Sequence, residues 1–257
     1  MFDSHCHPTD IEDPIGVITG ALAAGVQSLL ACGYNGDSNR AVVELRQRFP
    51  SLPISIGIHP WFANAPTAGL PELIRSMNPA AIGECGLDFT PGDDMPSEEV
   101  QTQAFEFQLD LAESTGRPLT IHSRRAVHRV FELANAFPKA KGILHAFGGS
   151  FEQARQFVDI GWLIGIGGAV TRAGARRVLG VEQRLPLDAF VLETDAPAIG
   201  LEGVNPPHVR PAHLGLVARA IAQLREQDEL EIIESTNRNV SRLLGAQVLT
   251  PIVNLNG

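Results

Sequence analysis

The feature that most constrains the fold of this chain is a pair of histidines at its start. His5 and His7 lie two residues apart at the end of a short, turn-free segment, and Pro8 follows them directly. Side chains alternate between faces along a β-strand, so both imidazoles would project from one face. Two imidazoles at a strand end are typical of the start of a metal site. The fold must then bring further ligands to that strand end.

Short apolar segments recur eight times and alternate with helical patterns. Eight strands alternating with helices over about 250 residues favour a (β/α)8 TIM barrel of the metallo-dependent hydrolase type. The rival is an open doubly wound sheet, which usually carries a glycine-rich loop after its first strand, whereas HCHPTD stands there. No linker interrupts the pattern, so we predict a single domain over residues 1–257. The expected strands are 2–6, 28–33, 54–58, 81–85, 119–122, 142–146, 162–166 and 189–193.

Helical segments are expected between these strands and after the last one. The clearest of them has Ser97 as a candidate N-cap, while Gly116 and Pro118 would end it. The segment after about Gly245 carries no such pattern and is expected to be loose. The predicted helices are roughly 14–24, 37–48, 70–77, 97–115, 124–136, 151–160, 173–184, 209–225 and 228–244.

Five of the expected strands end in residues that can bind a metal ion, and barrel enzymes collect catalytic groups at this face. Six ligands exceed the ordinary coordination of one zinc ion and suit two divalent ions that share a carboxylate. The two lysines, Lys139 and Lys141, lie on no strand, which excludes a lysine carbamate bridge and leaves Glu84 as the bridge. We expect one ion held by His5, His7, Glu84 and Asp195, and the other by Glu84, His122 and His145.

Charge and composition limit the partners of this chain. Its net charge of −9 argues against a broad basic surface for nucleic acid, but metal ions and a few arginines can still hold phosphate locally. Histidine-rich ligation suits zinc, and the carboxylates also admit manganese or magnesium. No apolar run approaches the ~20 residues of a membrane span, and no signal peptide is evident. A cytoplasmic protein without a membrane partner is therefore expected, and we expect a monomer.

Six motifs, in this order and spacing, resemble the motif series of the TatD-type metal-dependent hydrolases: DSHCH, GIHP, GECGLDF, PLTIHSR, HAFGGS and LETDAP. The resemblance extends to the C-terminal helix, where Asn239 and Leu243–Leu244 fit the closing element of the family. It implies a TIM barrel, a divalent-metal centre and phosphoester hydrolysis, and family members are commonly described as deoxyribonucleases. It supports the same six metal ligands and marks His59 as a contact for the substrate phosphate.

The segments around the predicted site depart from the family pattern. Trp61 follows Pro60 where many members have a second histidine, and Gly149 replaces a serine-like residue. Trp61 and Phe62 could stack a base at the rim, although aromatic residues in loops more often pack beneath a lid. The sequence AIGLEGVNPPHVRP also differs from the stretch that many members show after LETDAP. These changes concern the substrate pocket and leave the ligand set intact.

Two further residues are candidate substrate contacts. Arg124 follows His122 at the mouth and could clamp phosphate, although it could also be a solvated residue at a helix start. Asn205 lies in a polar, proline-rich loop after the last strand and could contact substrate.

We therefore expect a divalent-metal-dependent hydrolase of phosphodiester bonds that acts on DNA or a small phosphodiester. The resemblance implies, more specifically, a deoxyribonuclease of the 3′ to 5′ exonuclease type. Its catalytic residues would be Asp195, as general base, and Glu84. Two rivals remain open. One is a hydrolase of amide, lactone or carboxyl ester bonds that uses the same binuclear centre. The other is a metal-binding barrel without catalytic activity.

Overall fold

The computed structural model describes residues 1–253 as one parallel sheet wrapped by helices, and residues 254–257 of the expected domain lie outside the described residues. The eight strands follow one another in chain order, and every neighbouring pair is parallel. The predicted (β/α)8 barrel is thereby confirmed. The strands are β1 (Phe2–Cys6), β2 (Ser28–Cys32), β3 (Ile54–Ile56), β4 (Ala81–Asp88), β5 (Leu119–Arg124), β6 (Gly142–Leu144), β7 (Leu163–Ile166) and β8 (Phe190–Leu192).

Helices follow the strands and pack on the outside of the sheet. Ser97 caps the helix after β4 by accepting a hydrogen bond from the Val100 amide, and Gly116 ends that helix in a left-handed conformation. The α-helices are α1 (Pro14–Ala23), α2 (Gly36–Arg48), α3 (Leu70–Met77), α4 (Glu98–Thr115), α5 (Val127–Ala136), α6 (Phe151–Asp159), α7 (Arg176–Glu182), α8 (Leu214–Arg225) and α9 (Glu229–Leu244).

Several boundaries differ from the sequence prediction. β4 continues to Asp88, three residues further than expected, because it pairs with β5 as far as Asp88 and Arg124. The same pairing includes Arg124 in β5, so α5 begins at Val127 rather than at residue 124. α8 begins at Leu214 rather than 209, since a short 3-10 turn at Pro211–His213 precedes it.

The barrel closes between β1 and β8 through the residues that follow β8. Asp3 on β1 is buried and accepts hydrogen bonds from Thr194, at 2.9 Å from the amide and 2.6 Å from the hydroxyl. The Asp195 amide donates to the His5 carbonyl oxygen over 2.9 Å. This closure brings the last strand end beside the first, and Asp195 beside the histidine pair.

Two apolar clusters fill the space on either side of the strands. Alternate residues of β2 divide between them: Leu29 and Ala31 join the cluster under the helices, and Leu30 and Cys32 join the other. Strands buried on both faces are expected where helices cover a parallel sheet. The second cluster also includes Val248, beyond α9.

The C-terminal segment differs from the expectation of a loose tail. A 3-10 turn at Ala246–Leu249 follows α9, and Ile252 is buried with its amide donating to the Gln27 carbonyl oxygen over 3.0 Å. Apolar burial therefore ties this segment to the barrel as far as Ile252. Among residues 1–253, none of the helices combines the length and the apolar character needed to cross a bilayer.

Candidate metal centre

The first predicted ligand group converges at the carboxyl ends of the strands. His5 and His7 direct their Nε2 atoms to the same carboxylate oxygen, Glu84 Oε2, at 3.4 and 3.3 Å. Asp195 Oδ1 lies 3.8 Å from His5 Nε2 and 3.5 Å from His7 Nε2. β1, β4 and the segment after β8 thus present two imidazoles and two carboxylates to one point, although Glu84 lies inside β4 rather than at its end as expected.

The other oxygen of Glu84 faces the second predicted group. Glu84 Oε1 lies 3.0 Å from His145 Nε2 and 3.3 Å from His122 Nδ1. His59 Nε2 approaches the same oxygen at 3.4 Å. Glu84 therefore has one oxygen on each side, which is the geometry that a carboxylate shared between two cations requires.

The donor set fits divalent cations. The ligand atoms form three groups in which all atoms lie within 4.8 Å of one another. The Oδ1 atom of Asp195 is buried and has no hydrogen-bond partner among the described residues, so it is available to a cation or a water proton. These groups differ from the predicted division in one respect. His145 was expected beside Glu84 and His122, but it groups with His5 and Asp195. The three groups are His5, His7 and Glu84; His5, His145 and Asp195; and His59, Glu84 and His122.

Hydrogen bonds behind three histidines bear on which ring nitrogen faces the centre. His7 Nδ1 lies 3.0 Å from the Cys32 carbonyl oxygen, which can only accept, so in the neutral ring Nδ1 carries the hydrogen and Nε2 offers a lone pair. The same logic applies to His122, whose Nε2 donates to Asp88 Oδ2 at 3.2 Å. His5 Nδ1 lies 2.8 Å from the Thr120 hydroxyl, which can accept in the same way.

His59 is the exception among the five histidines. Its Nδ1 accepts a hydrogen bond from the Trp61 backbone amide at 3.2 Å. An amide can only donate, so the neutral ring carries its hydrogen on Nε2, the atom that faces Glu84. A protonated Nε2 cannot bind a metal ion, but it can donate to an anionic oxygen. This geometry agrees with the predicted role of His59 as a contact for phosphate.

The site keeps its carboxylates ionised despite their burial. Burial alone would raise the pKa of Glu84, but His59, His145 and His5 together hold that pKa well below its usual range. Asp195 behaves in the same way: burial would raise its pKa, but the nearby rings of His7, His145 and His5 outweigh burial and lower the pKa of Asp195. Both side chains are therefore anionic at neutral pH.

The histidines of the site divide into those whose pKa is raised and those whose pKa is lowered. Burial opposes the charge of His145, but the Glu84 carboxylate outweighs burial and raises the pKa of His145 to about 9. Burial likewise opposes the charge of His7, whose pKa is nevertheless raised well above its usual value by Asp195 and Glu84. Burial lowers the pKa of His5 to about 4 and also lowers the pKa of His59.

Glu193 is a buried acid near the centre that the sequence prediction did not include. Its Oε1 accepts a hydrogen bond from the Ala146 amide, and it lies 3.9 Å from His145 Nδ1. Burial raises the pKa of Glu193 to about 8. A Cβ atom on Gly165 would lie 2.2 Å from Glu193 Oε2 and 2.9 Å from the backbone Cα atom of His145, so a larger residue at this point of β7 would displace both. The place of Glu193 at the end of the expected strand 189–193, within the LETDAP motif, was the available sequence signal.

A cleft of about 990 Å³ opens above the ligands. His59 and Arg124, two predicted substrate contacts, line it, and so does Arg177 from α7, which the sequence prediction did not include. Asn205 lies elsewhere, in an adjoining hollow of about 540 Å³ that shares Ala198 and Ile199 with the cleft.

Comparison with known proteins shows similarity along nearly the whole chain. The family model described as TatD related DNase matches residues 2–245. The 3′-5′ ssDNA/RNA exonuclease TatD of Citrobacter koseri is 34% identical over 262 residues, which cover 95% of this chain and 99% of the relative. The uncharacterized metal-dependent hydrolase YjjV of Escherichia coli is 32% identical over 253 residues, which cover 95% of this chain and 97% of the relative.

A solved structure shares the fold. The crystal structure of YjjV, a TatD homolog from Escherichia coli, aligns with a TM-score of 0.86 and 29% identity, covering 95% of this chain and 97% of the other. The barrel and its strand order are therefore those of a known group of proteins.

Proposed function

The chain belongs to the TatD-related DNase family of metal-dependent hydrolases, and from that premise we propose that it hydrolyses phosphodiester bonds in DNA, in the 3′ to 5′ direction. The chemistry of the site supports phosphodiester cleavage. Its polarity and its nucleic-acid substrate are carried over from the exonuclease named above.

One observation carries the proposal: the two oxygens of Glu84 face two sets of histidine nitrogens, at 3.0 to 3.4 Å. This arrangement suits two divalent cations, zinc, manganese or magnesium, with Glu84 between them. The proposed ligands are those expected from the sequence. When bound, such ions activate water and neutralise the charge that develops on phosphate oxygens.

The chain's own groups supply the proton transfer and the positioning. Asp195 is ionised, buried and has an unpartnered Oδ1, so it can take the proton of the attacking water as the general base. His59 presents an Nε2–H group that can donate to a phosphate oxygen, and Arg124 adds a guanidinium at the edge of the cleft. These contacts would hold the phosphate in line with the water.

The test begins with the metal content of purified protein. Release of p-nitrophenol from bis-p-nitrophenyl phosphate and of nucleotides from 3′-ended single-stranded DNA is then measured, with His5→Ala/His7→Ala as the blank. We expect bound metal and cleavage of both substrates. At a metal concentration that keeps the site occupied, Asp195→Asn should lose turnover, and full activity in that variant with metal still bound would refute the general-base role.

Other outcomes assign the site differently. Cleavage of the small diester alone would retain phosphodiester hydrolysis and remove DNA as the substrate. Bound metal without cleavage of either substrate would favour the rival with amide, lactone or carboxyl ester substrates, which a substrate panel then tests. Metal without turnover of any ester would indicate a non-catalytic metal-binding barrel.

A further inference from the structure

The rim of the cleft carries an aromatic side chain that is exposed yet fixed in orientation. Trp61 is 50% exposed, and its indole Nε1 donates a hydrogen bond to Asp88 Oδ2 over 2.9 Å. Asp88 is buried, and the His59 ring also contacts the indole, with centroids 4.7 Å apart and planes at 77°. An exposed aromatic ring held from beneath in this way is preorganised to receive a flat ligand.

The carboxylate that holds the indole also contacts a proposed metal ligand. Asp88 Oδ2 accepts a second hydrogen bond, from His122 Nε2 at 3.2 Å. The ring centroids of Trp61 and His122 lie 6.4 Å apart. A ring stacked on the indole would therefore lie beside the proposed reaction site.

Arginines line other parts of the same cleft. Arg124 and Arg125 stand at the end of β5, and Arg177 extends from α7. In a barrel with strands in consecutive order, β7 lies across from β3, so Arg177 enters the cleft from the side opposite Trp61. Within residues 1–253 none of these three guanidinium groups forms an ion pair with a carboxylate. Their charge is available for phosphate.

We propose that Trp61 is a specificity-determining residue on which an unpaired nucleobase stacks beside the metal centre, while the arginines hold the flanking phosphates. The inference rests on the proposed function and adds to it that the site recognises the base as well as the phosphodiester. An aromatic face combined with a cationic groove is the chemistry of single-strand binding, because every base offers a π-face. The cleft volume of about 990 Å³ accommodates a nucleotide and not only a phosphate group.

The test compares two single-stranded oligonucleotides that differ only in the 3′-terminal base. One ends in a normal nucleotide and the other in an abasic tetrahydrofuran residue. Both carry phosphorothioate linkages, which resist hydrolysis, and a 5′ fluorescein. Fluorescence anisotropy gives the affinity of Mg²⁺-loaded protein for each. The expected preference of the wild-type protein for the normal end is roughly 5- to 150-fold, the range measured for stacking of one base on an aromatic ring.

Three variants separate stacking from other effects. Trp61→Ala should abolish the preference, and Trp61→Phe should retain most of it, since phenylalanine keeps a ring but lacks the Nε1–H donor. Leu230→Ala is the matched control, because Leu230 is an exposed apolar residue on α9 that does not line the cleft, and it should retain the full preference. Circular dichroism verifies that each variant is folded.

Tryptophan fluorescence supplies a second readout. The chain has two tryptophans, and the other, Trp162, is buried with its Nε1 donating to the Ala140 carbonyl oxygen. Unlabelled oligonucleotide should quench the emission of the wild-type protein. The emission of Trp61→Phe, which comes from Trp162 alone, should not change.

Equal affinity of the wild-type protein for the two oligonucleotides, or a preference that survives Trp61→Ala, would overturn the stacking role. Hydrolysis of bis-p-nitrophenyl phosphate by the same preparations keeps this failure separate from failure of the proposed function. Diester cleavage without a base preference would retain phosphodiester hydrolysis and reject the stacking role of Trp61. A base preference without any hydrolysis would retain the nucleobase subsite and reject the proposed function.

Discussion

Asp88 and His122 share a hydrogen bond that determines which ring nitrogen of the histidine faces the ligand cluster. His122 Nε2 lies 3.2 Å from Asp88 Oδ2, and His122 Nδ1 lies 3.3 Å from Glu84 Oε1. Because the carboxylate accepts the Nε2 hydrogen, the Nδ1 lone pair points toward Glu84. Asp88, which lies 34 positions before His122 in the sequence, would therefore orient this proposed ligand for binding a cation.

Replacing Asp88 by asparagine should weaken metal binding by about 10- to 100-fold, the usual cost of losing a partner behind a ligating histidine. The amide carries no negative charge and no longer favours one tautomer of His122. Calorimetric titration of metal into stripped protein measures the change. Asp93→Asn, which alters an exposed carboxylate in the loop before α4, is the control and should bind as the wild-type protein does. Unchanged affinity in Asp88→Asn would show that the hydrogen bond does not prepare the ligand.

His59→Ala should reduce kcat by about 10²- to 10³-fold, the usual effect of removing one preorganised donor at a reacting oxygen. Its metal content should stay at the wild-type value, because the Trp61 amide fixes the hydrogen on His59 Nε2. His122→Ala provides the contrast and should lose metal. Elemental analysis beside steady-state kinetics tests both expectations. Loss of one metal equivalent from His59→Ala would identify His59 as a ligand.

Metal binding should release protons at neutral pH. In the metal-free protein the Glu84 carboxylate overcomes the effect of burial and raises the pKa of His145 to about 9, so this ring is protonated at pH 7. A cation that binds through its nitrogen must displace that proton. We expect apparent affinity to rise about tenfold per pH unit for each displaced proton, from pH 7 until the curve flattens near pH 9.

Calorimetry in two buffers of different ionisation enthalpy counts the protons released. His128→Ala is the control, since its side chain is 81% exposed and lies outside the ligand cluster. It should show the wild-type pH dependence. An affinity that does not change between pH 7 and pH 9 would contradict the assigned protonation state of His145.

Removal of metal should destabilise the fold. The ligands join strand ends from β1, β4, β5, β6 and β8, so a cation held there stabilises the folded chain only. At a concentration of 100 times Kd this contributes about 2.7 kcal/mol, which for a domain of this size corresponds to a Tm decrease of roughly 5–10 °C on chelation. Differential scanning calorimetry with and without EDTA measures it. The variant His5→Ala/His7→Ala should not respond to EDTA, and an equal response would place the stabilising ion elsewhere.

The fold and the proposed ligand set were available from local sequence signals. The alternation of apolar strands with helices predicted the barrel. Five of the six proposed ligands lie within three residues of the carboxyl end of a strand, whereas Glu84 lies inside β4, which continues to Asp88. Parallel strands in a barrel must end on one face, so residues at those positions converge without any knowledge of long-range contacts. His5 and Asp195 are far apart in sequence, yet topology alone made them neighbours.

The tertiary structure decided what depends on contacts between distant segments. The partners of the ring nitrogens separate His59, whose neutral ring donates toward the centre, from His7 and His122, whose neutral rings offer lone pairs there. No local pattern encodes these partners. Placement of loops decided that Arg177 lines the cleft and that Asn205 lies in the adjoining hollow. Strand periodicity is a property of neighbouring residues, whereas hydrogen-bond partners and cavity walls are set by the packing of the whole chain.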